Sequence, residues 1–180
     1  MTSVKRGVCS NRHEREGGNV ISASPNVKEQ GKDRHVLLSL DDSEAAKRAV
    51  LYVADFLGGV AGFRVTLLRI IPEPPEDYFS NPGERQDWIS ASRQKARSDL
   101  ENYRAVLVQA GFEEDKVAVS TEVRKCSSIA SCILDVQRKL GCCTIVMGRR
   151  GISKREEFLL GSTSSAVLHK GKNCAVWVIE

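Results

Sequence analysis

The 180-residue chain predicts an α/β fold: a five-stranded parallel sheet in a doubly wound α/β/α sandwich. Three observations point there. Five short runs rich in Val, Ile and Leu alternate with stretches whose apolar residues recur at helical spacing. Strands that are apolar throughout need cover on both faces, which right-handed crossover helices provide. Gly, Pro and Asp/Ser residues punctuate the boundaries, where turns and caps belong.

The elements follow in order. The first strand starts at His35 and runs through Val36-Leu37-Leu38-Ser39-Leu40. It ends in Asp41-Asp42-Ser43, a helix-start signal. Ala45, Ala46, Ala49, Val50, Val53, Phe56 and Leu57 then make one helical stripe until Gly58-Gly59 stops it. Residues 65–71 read as the second strand, followed by a loop carrying Pro72, Pro74, Pro75 and Pro82. A longer helix over about residues 86–110 places Ile89, Ala96, Leu100, Tyr103 and Leu107 on one stripe. Residues 116–123 are a third strand, 129–140 a helix capped by Gly141, and 142–147 a fourth strand. Residues 162–170 form a short helix and 174–179 a fifth strand, apolar and expected at a sheet edge. In such a sheet ligands bind beyond the carboxyl ends of the strands, where strand order reverses.

Charge is unevenly distributed. The chain has 27 basic and 23 acidic residues, for a net charge of +4. Residues 1–34 hold seven Lys/Arg and four acids, leaving 20 basic against 19 acidic for the rest. That segment is polar and Gly/Ser/Asn-rich, cannot bury enough surface to offset its ordering entropy, and reads as a flexible tail before a domain at residues 35–180. The domain is close to neutral and its aromatics are not interleaved with basic residues, so nucleic acid is not the expected partner. No apolar run is long enough to span a membrane, and no apolar segment marks an export signal. The expected location is therefore the cytoplasm, with Cys9, Cys126, Cys132, Cys142, Cys143 and Cys174 as reduced thiols. The vicinal Cys142-Cys143 reads as buried strand filler. Neither CxxC spacing nor a clustered His suggests a metal site.

The chemistry concentrates after the fourth strand. Met147-Gly148-Arg149-Arg150-Gly151 is followed by nine residues and then Gly161-Ser162-Thr163-Ser164, a G-x2-G-x9-G-[ST] pattern. Glycines let the backbone turn tightly and approach a ligand. A Gly-Ser step that opens a helix adds unpaired N–H groups, a hydroxyl and the positive end of the dipole. Together these make an anion cradle suited to nucleotide phosphates, whereas the bland reading is an ordinary turn and helix cap. Arg149 and Arg150 offer forked donors for phosphate oxygens, and read equally as solvated loop residues. The charged residues 154–157 read as a loop over the site.

Residues 36–43 (VLLSLDDS), the glycine pattern and residues 157–162 (EFLLGS) resemble the universal stress protein family. The resemblance covers residues 35–180 and implies a Rossmann-like, adenine nucleotide alpha hydrolase-like fold. The glycine pattern is the signature of that family's ATP-binding branch. Asp41 matches the family's acidic residue near the adenosine and Ile70 an apolar position against the adenine. Met147, Gly148, Gly151, Gly161, Ser162 and Thr163 match the loop that holds ribose and phosphates. Asp41 reads equally as a helix cap, although Asp42 or Ser43 can take that role, and Ile70 reads also as strand core. The implied cofactor is ATP, with Mg (or Mn) carried by its phosphates. The last strand, 174–179, commonly mediates a homodimer in the family, and unpaired edges invite such pairing.

Several enzymes are tested by absence. There is no P-loop G-x-x-x-x-G-K-[ST], no G-x-G-x-x-G in the first strand–helix turn, and no SGGxDS-like loop of the related adenylating synthetases. His13, His35 and His169 offer no catalytic base. The expectation is an ATP-binding stress or signalling module with at most slow hydrolysis. One alternative is an interaction module of the same fold that binds no nucleotide, and a more remote one is a nucleotide hydrolase or transferase.

Overall fold

In a computed structural model the described residues are 33–149 and 160–180. The expected tail up to residue 32, Arg150, Gly151 and the charged loop at 154–157 lie outside them. The chain runs β1 (Arg34–Ser39), α1 (Glu44–Leu57), β2 (Phe63–Pro72), α2 (Pro82–Gln109), β3 (Val117–Arg124), α3 (Ile129–Leu140), β4 (Thr144–Gly148), α4 (Ser162–Lys170) and β5 (Ala175–Ile179). All neighbouring strands are parallel, in the order β3-β2-β1-β4-β5. The chain steps outward from β1 through β2 to β3, then returns to place β4 on the other side of β1. That reversal opens the crevice between the carboxyl ends of β1 and β4.

Alternation along the strands divides the core. Val36, Leu38, Val65 and Leu67 point to the layer holding α1 and α2, where Ala49, Val53, Leu100 and Leu107 pack. Leu37, Leu68, Ile70, Ile145 and Met147 point to the α3 and α4 layer, against Ile133, Val136 and Val167. The α2 stripe is shorter than its spacing predicts. Ala96, Leu100 and Leu107 are buried, while Ile89 and Tyr103 are only half-buried. That helix also starts earlier than expected, at Pro82. Asn81 caps it by accepting from the Glu84 N–H at 3.0 Å, and proline suits the first helical turn. Asp33, assigned to the tail by composition, pairs with Lys116 at 2.6 Å.

One sequence expectation is corrected. Cys126 and Cys132 are not separate thiols but form a disulfide, because the β3–α3 turn folds back and brings their Cα atoms to 6.1 Å. Cys142, Cys143 and Cys174 remain unpaired. Cys142 is core as expected, while Cys143 is exposed on the opposite side of the strand.

Candidate functional site

The β1–α1 turn satisfies its own polar groups. Leu40 N–H donates to the Leu68 carbonyl at 2.9 Å, carrying the sheet register past the end of β1. The Ser43 hydroxyl caps α1 by accepting from the Ala46 N–H at 3.1 Å. Asp41 is therefore not the cap. Its Oδ1 accepts from the Ser43 hydroxyl at 2.5 Å and the Ser43 N–H at 3.1 Å, which holds the half-buried carboxylate at the mouth of the crevice. Asp42 turns the other way and accepts from Arg69 Nη1 at 2.8 Å.

β2 supplies the next wall. Ile70 is 7% exposed and pairs with Glu122 of β3, two residues beyond Leu68, which faces the last residue of β1. It is thus both core and mouth: its side chain packs with the α3 layer at the level where the sheet opens. Arg69, on the opposite face, was not anticipated. It is 8% exposed, and its Nε and Nη2 have no partner among the described residues. A buried guanidinium with unsatisfied donors is costly unless it holds something in place. Here it ties β2 to the β1–α1 turn through Asp42. The available signal was a lone arginine inside an otherwise apolar strand end, Leu67-Leu68-Arg69-Ile70-Ile71.

The β4–α4 segment closes the opposite wall. Met147 is buried and pairs with Ser39 on one side and Val178 on the other. Gly148 has no room for a side chain: an added Cβ would lie 2.8 Å from both the Cβ and the carbonyl carbon of Ala45. Glycine is what lets the end of β4 touch the first turn of α1. The Arg149 carbonyl then accepts from the Gly161 N–H at 2.9 Å and the Ser164 hydroxyl at 2.8 Å, so the strand end and the start of α4 are stapled together. The Arg149 guanidinium pairs with the Glu180 side chain. Gly161 is the N-cap residue of α4, and no side chain among the described residues caps that end. Ser162 is exposed, Thr163 half-buried and Ser164 buried. Asp41 just past the end of β1, Met147, Gly148 and Arg149 at the end of β4, and Gly161, Ser162 and Thr163 at the start of α4 thus lie at the carboxyl edge of the sheet, with Ile70 one strand away. Ser164 supports the backbone instead.

Such a crevice suits an anion with an organic body: N–H groups of an uncapped helix start on one side, a carboxylate hydrogen-bond acceptor on the other. Among the described residues, no group of three His, Cys, Asp or Glu is arranged to hold a metal ion.

The universal stress protein family model matches residues 33–180. Universal stress protein Sll1388 of Synechocystis sp. is 30% identical over 152 residues, covering 81% of this chain and 96% of its own. Among solved structures, the hypothetical protein MJ0577 superposes with a TM-score of 0.69 at 27% identity, covering 81% of this chain and 94% of that one. A universal stress protein from Archaeoglobus fulgidus, solved in complex with dAMP, gives a TM-score of 0.54 at 20% identity, covering 82% of this chain and 98% of that one.

Proposed function

Since the chain belongs to the universal stress protein family, we propose that it is a cytosolic ATP-binding module that signals through nucleotide occupancy and hydrolyses ATP slowly if at all. The observation that carries this reading is the start of α4, uncapped by any described side chain and stapled to the end of β4. Gly148, Gly151, Gly161, Ser162 and Thr163 would hold ribose and phosphates, and Mg (or Mn) would travel with the phosphates. Asp41 would accept from the adenosine and Ile70 would lie against its base. Arg149 and Arg150 are assigned to the phosphate tail. A solved family member in complex with dAMP supports an adenine nucleotide as the ligand class. No described histidine or unpaired carboxylate in the crevice is placed as a general base, which favours holding the nucleotide over turning it over.

The test presupposes no ligand. Protein purified without added nucleotide is denatured, and the released small molecules are identified by mass spectrometry. Stoichiometric ATP or ADP supports the reading; absence of any nucleotide, both there and after incubation with millimolar MgATP, refutes it.

The homodimer belongs to the same proposal and rests on the two edges of the sheet. The outer strand β3 carries Ser120, Thr121, Glu122 and Arg124, which discourage further pairing. β5 reads Ala175-Val-Trp-Val-Ile179, with no charge. Beside it, Tyr52 and Phe56 of α1 enclose Trp177 with ring centroids 6.1 and 5.7 Å away, yet are 43% and 58% exposed themselves. Exposed aromatics continuous with an uncharged edge strand favour a second copy of the chain as the occupant. A monomeric mass by light scattering at micromolar concentration would rule the dimer out. If no nucleotide binds while the dimer forms, the interaction-module reading takes over.

A further inference from the structure

The β2–α2 and β3–α3 loops enclose a cleft of about 450 Å³ that the nucleotide reading does not use, lined by residues 72–76, Lys125 and Cys126. The two loops are joined by the Glu73 N–H donating to the Arg124 carbonyl at 3.0 Å and by an ion pair between Lys125 and Glu76. Half-buried Cys126 forms part of the wall, and its disulfide partner Cys132 lies behind it in the first turns of α3, only 4% exposed. We propose that Cys126 and Cys132 are a reversible oxidation site, a dithiol that small hydroperoxides convert to the disulfide and low-molecular-weight thiols reopen, and that its closure fixes this wall of the cleft.

The surroundings favour the chemistry at this pair over the other cysteines. Both sulfurs belong to the N-terminal end of α3, where the helix dipole favours a thiolate. The first turn of α3 has no acid and its capping box is made by two neutral serines, Ser128 and Ser131, while the two acids lining the cleft, Glu73 and Glu76, are paired with Arg85 and Lys125. Burial, by contrast, pushes the Cys142 thiol up to about 11 and raises that of Cys174. Cys143, though exposed, lies at the other end of the sheet with its sulfur against the His35 carbonyl.

The cleft gives a small oxidant access to Cys126 but not to Cys132, which sets the order of events. The Cys126 thiolate attacks the terminal oxygen of a hydroperoxide, forming an S–O bond as the O–O bond breaks and the alcohol or water leaves with a proton. The Cys132 thiolate then attacks the Cys126 sulfenic sulfur; the S–S bond forms, and hydroxide departs and is protonated to water. Two thiols and one hydroperoxide thus become one disulfide, one water and one alcohol or water. Reopening consumes two external thiols, the first forming a mixed disulfide with Cys126 and releasing Cys132. Because only six positions separate the cysteines, the ring they close is small and its constraint is local to the loop.

The test uses the reduced full-length chain treated with equimolar hydrogen peroxide, alkylated under denaturing conditions and mapped by peptide mass spectrometry. Cys126 and Cys132 are expected to lose their alkylation together while Cys142, Cys143 and Cys174 keep theirs. In Cys132→Ser, dimedone is expected to label Cys126; in Cys126→Ser, labelling of Cys132 should be at least tenfold weaker. Amide exchange in residues 124–128 and 72–76 of the wild-type chain should be several-fold faster in the reduced form. Oxidation of other cysteines while this pair stays alkylated, the reverse dimedone pattern, or identical exchange in the two redox forms would overturn the proposal. The peptide map and exchange measurement need no variant, so a misfolded serine variant does not spoil them.

Discussion

The two helix starts at the carboxyl ends of β1 and β4 solve the same problem in opposite ways. At α1, Ser43 caps the helix, Asp41 holds the cap hydroxyl and Asp42 pairs with Arg69, so the turn is self-sufficient. At α4, a glycine stands in the cap position, no side chain among the described residues caps the first turn, and Ser164 is spent on the Arg149 and Gly161 carbonyls. A helix start with its own cap has little use for an outside anion, whereas one without keeps its donors for a ligand. The difference favours the α4 start as the proposed phosphate wall, while the α1 start holds the Asp41 carboxylate in place.

Substitutions that break this comparison should rank by where they fall. The largest effect is expected from Gly148→Val, since its side chain would sit within the contact distance of Ala45. It should cost about 3 kcal/mol by overpacking and abolish nucleotide binding, read as a lowered chemical-denaturation midpoint together with lost calorimetric binding. Arg69→Met should separate stability from function. Removing a buried guanidinium with two unsatisfied donors leaves a half-exposed Asp42, so stability should stay within about 1 kcal/mol of wild type or rise. The freed β1–α1 turn should nevertheless weaken nucleotide affinity about tenfold, roughly 1.4 kcal/mol. Equal affinity in the two proteins would remove Arg69 from the positioning role.

Ser43→Ala touches the self-capped side and should cost about 1 kcal/mol of stability, with a smaller effect on binding than Gly148→Val. The smallest effect lies at the other end of β1. His35 Nε2 shares a 2.8 Å hydrogen bond with Thr66, and burial followed by the nearby Arg64 charge lowers its pKa, against a smaller opposing effect of the Leu140 backbone. A lowered folded-state value means the unfolded chain takes up the proton first. The neutral ring's contribution is then complete above about pH 6.5 and is lost as pH falls through the folded-state value. Melting temperatures between pH 7.5 and 5.5 should fall more steeply for wild type than for His35→Gln.

The fold was readable because its signals are local. Ser128 and Gly141 bracket α3, and its expected bounds, 129–140, are the observed ones, with Gly141 in the left-handed conformation its position demands. Strand runs were continuous enough to place within a residue or two. The start of α2 was less clear because its Asn81–Glu84 cap is embedded in a proline-rich loop that reads as turn. The glycine pattern marks the β4–α4 junction for the same local reason. Arg69 with Asp42, and Cys126 with Cys132, escaped because each pairing depends on how separate segments are brought together. Nothing at positions 69 or 42 announces the strand neighbour, and six-residue cysteine spacing reads as a pair only once the β3–α3 turn is known to fold back.

The uncapped start of α4 is most directly tested by calorimetric titration of MgATP into wild type and Gly161→Val. The backbone at Gly161 is ordinary extended geometry that valine adopts, so the variant should fold. Saturable binding of one nucleotide per chain, lost in the variant with its unfolding transition intact, is the predicted result. No binding by wild type at millimolar ATP, or undiminished binding by Gly161→Val, would contradict it.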